Sequence, residues 1–365
     1  MSAGSHTGRR RRALEQAERA GLAGLLVAPG ADLVYLIGHE PPPLERLTLL
    51  ILQVEREPVL LVPELERPAA ELAPGADGVA ITSWRDGDDP HALAAELLGP
   101  GRYAVSDQTW ASHLLGLQAS ASGASFVAAG ASMPLLRAVK DEEEVARLRA
   151  AARGADAAFD VVVGLAFAGR REVDVAEDLD RLLRAHGHEH VDFTIVGSGP
   201  NGASPHHAAA DRVIEPGDAV VLDFGGRVRG YCSDITRTVF VGEPGREELE
   251  VYDVVRAAQQ AAFEAVRPGV AAQDVDRAAR AVIVEAGHGE RFVHRTGHGI
   301  GIELHEPPYI VEGDTTPLEA GMTFSDEPGV YLPGRFGVRI EDQLVVTPAG
   351  AERLNEASRD PTVVV

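Results

Sequence analysis

The stretch VVLDFGGRVRGYCSDITRTVFV, residues 220–241, constrains this chain more than any other. It reads as two apolar, β-branched runs joined through a glycine-bearing turn, each carrying one aspartate, Asp223 and Asp234. Strands this apolar belong in an interior, and a buried carboxylate stays ionised only beside a compensating charge. Paired as a hairpin, the runs bring the two aspartates roughly opposite each other near its open part, close enough to share a cation. Three more candidates sit in their own Gly- or Pro-punctuated motifs: His298 in TGHGIG, Glu327 in SDEPGVY and Glu341 in GVRIED. Four carboxylates and one imidazole balance two divalent ions, with a hydroxide completing the site.

Composition narrows the class. The 365 residues suffice for two domains and a sizeable core. A formal net charge of -22 argues against a nucleic-acid-binding surface. Cys232 is the only cysteine, so no internal disulfide forms, and a reducing, cytoplasmic setting is expected. No apolar run approaches the roughly 18 residues of a membrane span. The N-terminal GRRRRALEQAERAGLAGLLVAPG has Glu15, Glu18 and Arg19 where a signal core should be apolar, and so predicts an amphipathic helix over about Arg9 to Ala20 with a solvated arginine cluster.

From residue 8 to 137, short apolar runs such as GLLVA, LTLLILQ and PVLLVPE alternate with helical stretches, an α/β pattern. After Pro134 the texture changes to a long amphipathic helix opened by the acidic cluster Asp141 to Glu144, which suits a first turn. A second domain, 138–365, is therefore expected, with helices over about 172–186, 246–266 and 272–286 outside a sheet that presents the candidate ligands. The segment VGSGPNGASPHHAAADR is rich in turn formers and predicts a cleft-lining loop.

Hard oxygen donors with one imidazole suit manganese, cobalt, iron or zinc. Two such ions, about 3.5–4 Å apart, can supply a nucleophile and polarise a carbonyl, which points to amide hydrolysis. Proton handling and oxyanion stabilisation need further groups, and His206, His207, His294 and His305 are the candidates. His305 is seven residues after His298; if GIELH is extended this spans roughly 20 Å, which directs His305 to the substrate rather than to a metal unless the chain folds back.

The ordered set PHH, LDFGG, SDITRT, TGHGIGIELHE, EPGVY and GVRIED resembles the catalytic domain of the pita-bread metallopeptidases, in the branch of prolidase (Xaa-Pro dipeptidase) and aminopeptidase P. The N-terminal region resembles the creatinase-type domain of that branch. The resemblance implies an α/β N-terminal domain followed by an α+β pita-bread catalytic domain, and a homodimer. By that similarity, Asp223 would chelate one metal, His298 and Glu327 the other, and Asp234 and Glu341 would bridge, with manganese the leading metal. It further implies that His206 and His305 are catalytic, that Glu327 takes the proton of a metal-bridging hydroxide, and that His294 and Arg339 serve the substrate or orient the carboxylates. His207 falls where the family varies and is carried as a substrate-side residue, its plainer reading being a loop residue. Arg339, two residues before Glu341, would share its face on a strand and lower its proton affinity. The implied substrate is a proline-containing di- or oligopeptide cleaved at Xaa-Pro. The alternative is a small non-peptide C–N substrate on the same fold, as in creatinase- or ectoine-hydrolase-like enzymes.

Overall fold

The computed structural model describes residues 3–365. The chain divides into two compact units, Met1–Arg137 and Ala138–Val365.

The first unit is built on a six-stranded mixed sheet. Its strands are β1 (Gly24–Val27), β2 (Leu49–Gln53), β3 (Val59–Pro63), β4 (Ala80–Trp84), β5 (Gly101–Val105) and β6 (Ala124–Ala128), in the order β4-β3-β2-β1-β5-β6. β1 and β2 are buried along their whole length. That is why they read as unbroken apolar runs rather than alternating ones. The first helix, Ala3–Arg19, corrects the expectation of a solvated arginine cluster, because Arg9 and Arg10 are buried. Arg10 donates from Nη1 to Gly75 O at 2.7 Å and from Nη2 to Asp77 O at 2.8 Å. Arg9 and Arg10 also donate to the carbonyls of Tyr35 and Leu36, in the last turn of the helix Ala31–Ile37. Those carbonyls have no partner within their own helix, and a guanidinium fork can satisfy several at once.

The second unit opens with the helix Glu142–Val162, capped by Asp141. The Asp141 carboxylate accepts from Glu144 N at 2.9 Å, and Glu144 accepts from Asp141 N at 3.0 Å, a reciprocal capping box. Helices Glu172–Ala185, Arg246–Ala265 and Ala272–Glu285 follow. Between them run β7 (His190–Ser198), β8 (Ala219–Val228), β9 (Tyr231–Cys232) and β10 (Ile235–Val241). The C-terminal part adds β11 (Gly297–Gly299), β12 (Glu306–Ile310), β13 (Thr323–Asp326), β14 (Gly329–Leu332), β15 (Phe336–Arg339), β16 (Asp342–Thr347), β17 (Gly350–Arg353) and β18 (Thr362–Val364). One sheet has the order β18-β10-β8-β7, with β9 continuing the hairpin against β8; a second has the order β12-β11-β13-β16-β17; β14 and β15 form a separate pair.

Strand periodicity aims the site. Val220, Leu222 and Phe224 of β8 and Ile235, Val239 and Val241 of β10 pack in one core with Phe159, Val175, Leu179 and Leu183 of the first two helices. Side chains alternate along a strand, so Asp223 and Thr236 project from the opposite face. The register pairs Asp223 with Thr236 and Phe224 with Ile235. Asp234 lies just before β10 and two positions from Thr236, so the aspartates are diagonal neighbours rather than directly opposite.

Candidate metal centre

The five candidate ligands arrive from separate segments and line one cavity of about 520 Å³. Asp223 comes from β8 and Asp234 from the hairpin just before β10. His298 is the middle of β11, Glu327 follows β13, and Glu341 lies between β15 and β16, where it bridges to Thr236. The glycines around His298 are dictated by packing. A Cβ on Gly297 would stand 1.8 Å from Ser325 O, and one on Gly299 would stand 2.4 Å from Glu306 O. GHG here is a strand pressed between two neighbours, where a side chain on either flank would collide with their backbone.

Asp234, His298 and Glu341 each offer a donor atom within 4.8 Å of the others. His298 Nε2 is 3.6 Å from Asp234 Oδ2 and 3.3 Å from Glu327 Oε1. The Nδ1 of His298 lies 3.1 Å from Gly299 O, which assigns the proton to Nδ1 and leaves the Nε2 lone pair towards the carboxylates. Burial, and then His305, pull the His298 pKa down to about 3, so the ring is neutral. Ser325 Oγ donates to Glu327 Oε1 at 3.0 Å, and Thr236 Oγ1 donates to Glu341 Oε2 at 2.7 Å. Asp223 Oδ1 and Glu341 Oε1 are buried with no hydrogen-bond partner.

Orphaned carboxylate oxygens beside a neutral imidazole form a donor set that fits divalent cations. The protonation behaviour of the group points the same way. Burial, then Asp223 and Glu327, raise Asp234 well above the usual carboxylate range; burial, then Asp234, do the same to Glu341. Burial lifts Glu327 from 4.5 to about 7. A carboxyl whose pKa is raised by folding stabilises the fold fully below its unfolded value and loses that contribution as pH climbs through the folded one. Chelator-treated protein is therefore expected to melt progressively lower as pH rises from 4.5 to about 7, and excess divalent metal to remove that fall. Calorimetry across this range, with and without metal, checks it.

The other candidates divide. His206, His294, His305 and Arg339 line the same cavity. His305 departs from the extended-chain expectation: residues between β11 and β12 loop back, and its ring centroid lies 3.9 Å from that of His298. Arg295 Nη2 is 3.3 Å from His305 Nδ1, so Nδ1 accepts and Nε2 keeps the proton as a donor. Arg339 is buried and reaches Asp223 rather than Glu341. Its Nη2 donates to Asp223 Oδ2 at 2.6 Å, Nη1 to Tyr331 Oη at 2.8 Å and Nε to Thr236 Oγ1 at 3.1 Å. Tyr331 Oη in turn donates to His294 Nε2 at 2.7 Å. His294 thus ends a relay from Asp223 through Arg339 and Tyr331. His207, expected beside the substrate, does not line the cavity, because its Nε2 is taken by Glu172 at 2.8 Å. Thr236, Tyr331 and Arg295 were missed in the sequence. The one available signal was that a buried tyrosine hydroxyl such as that of EPGVY must find a partner.

Residues 146–348 match Metallopeptidase family M24, and residues 9–139 match the Creatinase/Prolidase N-terminal domain. The chain belongs to metallopeptidase family M24. The chain is 48% identical over 349 residues to the probable dipeptidase PepE of Mycobacterium tuberculosis, a match covering 94% of this chain and 93% of that protein. It is 37% identical over 342 residues to the Xaa-Pro dipeptidase of Lactobacillus helveticus, covering 90% and 92%. The crystal structure of dipeptidase PepE from Mycobacterium ulcerans superposes with a TM-score of 0.96 at 45% identity, covering 100% of this chain and 99% of that one. This family M24 chain is thus a peptidase of the prolidase and aminopeptidase P branch, with an α/β creatinase-type unit followed by an α+β pita-bread unit. Membership implies a divalent metal, and no helix among the described residues is long and apolar enough to cross a membrane.

Proposed function

We propose that this chain is a dinuclear metal-dependent dipeptidase that cleaves Xaa-Pro bonds. The observation that carries the reading is the convergence of Asp223, Asp234, His298, Glu327 and Glu341 on one cavity that also holds His206, His305 and Arg339. Asp223 would hold one ion, His298 and Glu327 the other, and Asp234 and Glu341 both, with manganese as the working metal. When bound, the two cations supply an ionised water as nucleophile and polarise the scissile carbonyl.

The protein groups do the rest. Glu327 accepts the proton of the attacking water and returns it to the leaving prolyl nitrogen. His305 donates from Nε2 to the carbonyl oxygen as negative charge builds there, and His206 serves the same oxyanion from its loop. Arg339 pairs with Asp223 and orients it, while Tyr331, itself bonded to His294, holds Arg339. The cavity is of a size for a small peptide. The names carried by the relatives, dipeptidase and Xaa-Pro dipeptidase, favour two-residue substrates over longer ones. The reading includes a homodimer in the cytoplasm, where the single buried thiol Cys232 stays reduced.

The test is product analysis on Ala-Pro and on Xaa-Pro peptides of increasing length, with metal-loaded protein and Glu327→Gln as control. Ala-Pro is expected to be cleaved faster than any tripeptide, and Glu327→Gln to lose at least about 100-fold in kcat. Faster cleavage of longer peptides would make the protein an aminopeptidase.

A further inference from the structure

His207 leads to a group that the mechanism above does not use. Glu172, the first residue of the helix Glu172–Ala185, has a side chain that is 0% exposed and carries a carboxylate. Every donor it meets comes from the segment that bears His206. Its Oε1 accepts from Ser198 N at 2.7 Å, from Ser198 Oγ at 2.6 Å and from Asn201 Nδ2 at 3.1 Å. Its Oε2 accepts from His207 Nε2 at 2.8 Å and from Ala210 N at 3.1 Å. Burial pushes this carboxyl's pKa up, yet the hydrogen bonds from Ser198, His207 and Asn201 outweigh burial and hold it below the usual range. The backbone adds a second seam at the same place, with Glu172 N donating to Arg212 O and Val173 N to Ala210 O.

This segment needs such a centre. It is rich in glycine and proline and short of apolar side chains, so packing alone holds it weakly. The His206 ring receives no hydrogen bond from any described residue, so its place in the cavity depends on where its own backbone is held. One buried anion gathers the donors on both sides of His206, from Ser198 and Asn201 before it to His207 and Ala210 after it. We infer that the Glu172–His207 pair is a positioning device for His206: the buried carboxylate ties down the 198–210 loop and sets the imidazole at the scissile carbonyl. The inference rests on the proposed role of His206 and extends it to two residues that touch neither substrate nor metal.

Two readouts test it, hydrogen exchange of the loop amides and a mutant cycle on kcat with Ala-Pro. The variants are Glu172→Gln, His207→Ala, His207→Gln and His206→Ala, alone and combined. Glu172→Gln and His207→Ala are expected to speed exchange across residues 198–210 and to lower kcat roughly 10- to 100-fold with KM changed less than about threefold, since displacing a catalytic group by an ångström costs that much. His207→Gln keeps a donor for the carboxylate and is expected to restore most of the rate. Added to His206→Ala, either loop variant should lower kcat by less than about twofold more, because it acts through the group already removed. Unchanged exchange in the loop overturns the inference, and so do kcat losses that multiply in full with that of His206→Ala. If Glu172→Gln does not fold, the two His207 variants carry the same comparison. A parent protein that cleaves no Xaa-Pro dipeptide would sink the functional reading instead, and the exchange data would still decide the anchor.

Discussion

Asp234→Asn is expected to abolish metal-dependent peptide hydrolysis and, at the same time, to raise the melting temperature of the metal-free protein. Both effects follow from one position. Asp234 is buried, and burial, then Asp223 and Glu327, drive its pKa well above the usual range. Without a cation the cluster resists ionisation, so a neutral isostere removes the cost of protonating or charging Asp234 in the folded protein at neutral pH. With a cation the same position supplies a charged oxygen within 4.8 Å of the His298 and Glu341 donors, and asparagine cannot replace that charge. Removing even a hydrogen-bond partner of a metal ligand costs 10- to 100-fold, so losing a shared ligand should cost more than about 100-fold in kcat. Calorimetry of chelated protein should show an increase of a few degrees, while metal analysis shows fewer ions retained. An unchanged rate at saturating metal would mean that Asp234 is not a ligand.

Arg339→Met should be strongly destabilising to the catalytic unit. Arg339 is 2% exposed, and the three hydrogen bonds of its guanidinium reach Asp223, Tyr331 and Thr236. Removing the guanidinium leaves Asp223 as an uncompensated charge in a crowded anionic cavity, a loss of about 3–5 kcal/mol by analogy with other broken buried pairs. Lysine at this position keeps the charge but not the fork, and should recover only part. The double change Arg339→Met with Asp223→Asn removes both charges and is expected to recover much of the stability without any activity. Urea unfolding of the metal-free forms separates these cases. Equal stability of Arg339→Met and the parent would show that the Asp223 pair is dispensable.

Much of this arrangement is legible in the amino-acid sequence. Each candidate ligand motif carries its own punctuation, and the physical cause is visible: the glycines beside His298 are there because neighbouring strands leave no room for a Cβ. The long helix after the boundary was legible because its apolar positions recur at helical spacing and its acidic opening suits a first turn, where the structure adds the reciprocal cap of Asp141 and Glu144. The buried arginines near the N-terminus were not, because their partners are backbone carbonyls at Tyr35, Leu36, Gly75 and Asp77, and carbonyls leave no mark in a sequence. Whether His305 is carried away from His298 or folds back beside it was left open by GIELH; its return is set by the pairing of β11 with β12. The diagonal placing of Asp223 and Asp234 depends on register, which a one-residue change in turn length would have altered. Glu172 was invisible as anything but a helix start, since the donors it gathers lie up to 38 residues away.

The most direct test of the account is proline release from Ala-Pro while chelated protein is titrated with manganese and bound metal is counted. The expected result is turnover that is absent without metal and reaches its plateau at two ions per chain, with both binding and turnover lost in Asp234→Asn. Proline release that is indifferent to metal, or none at full occupancy of the site, would contradict it.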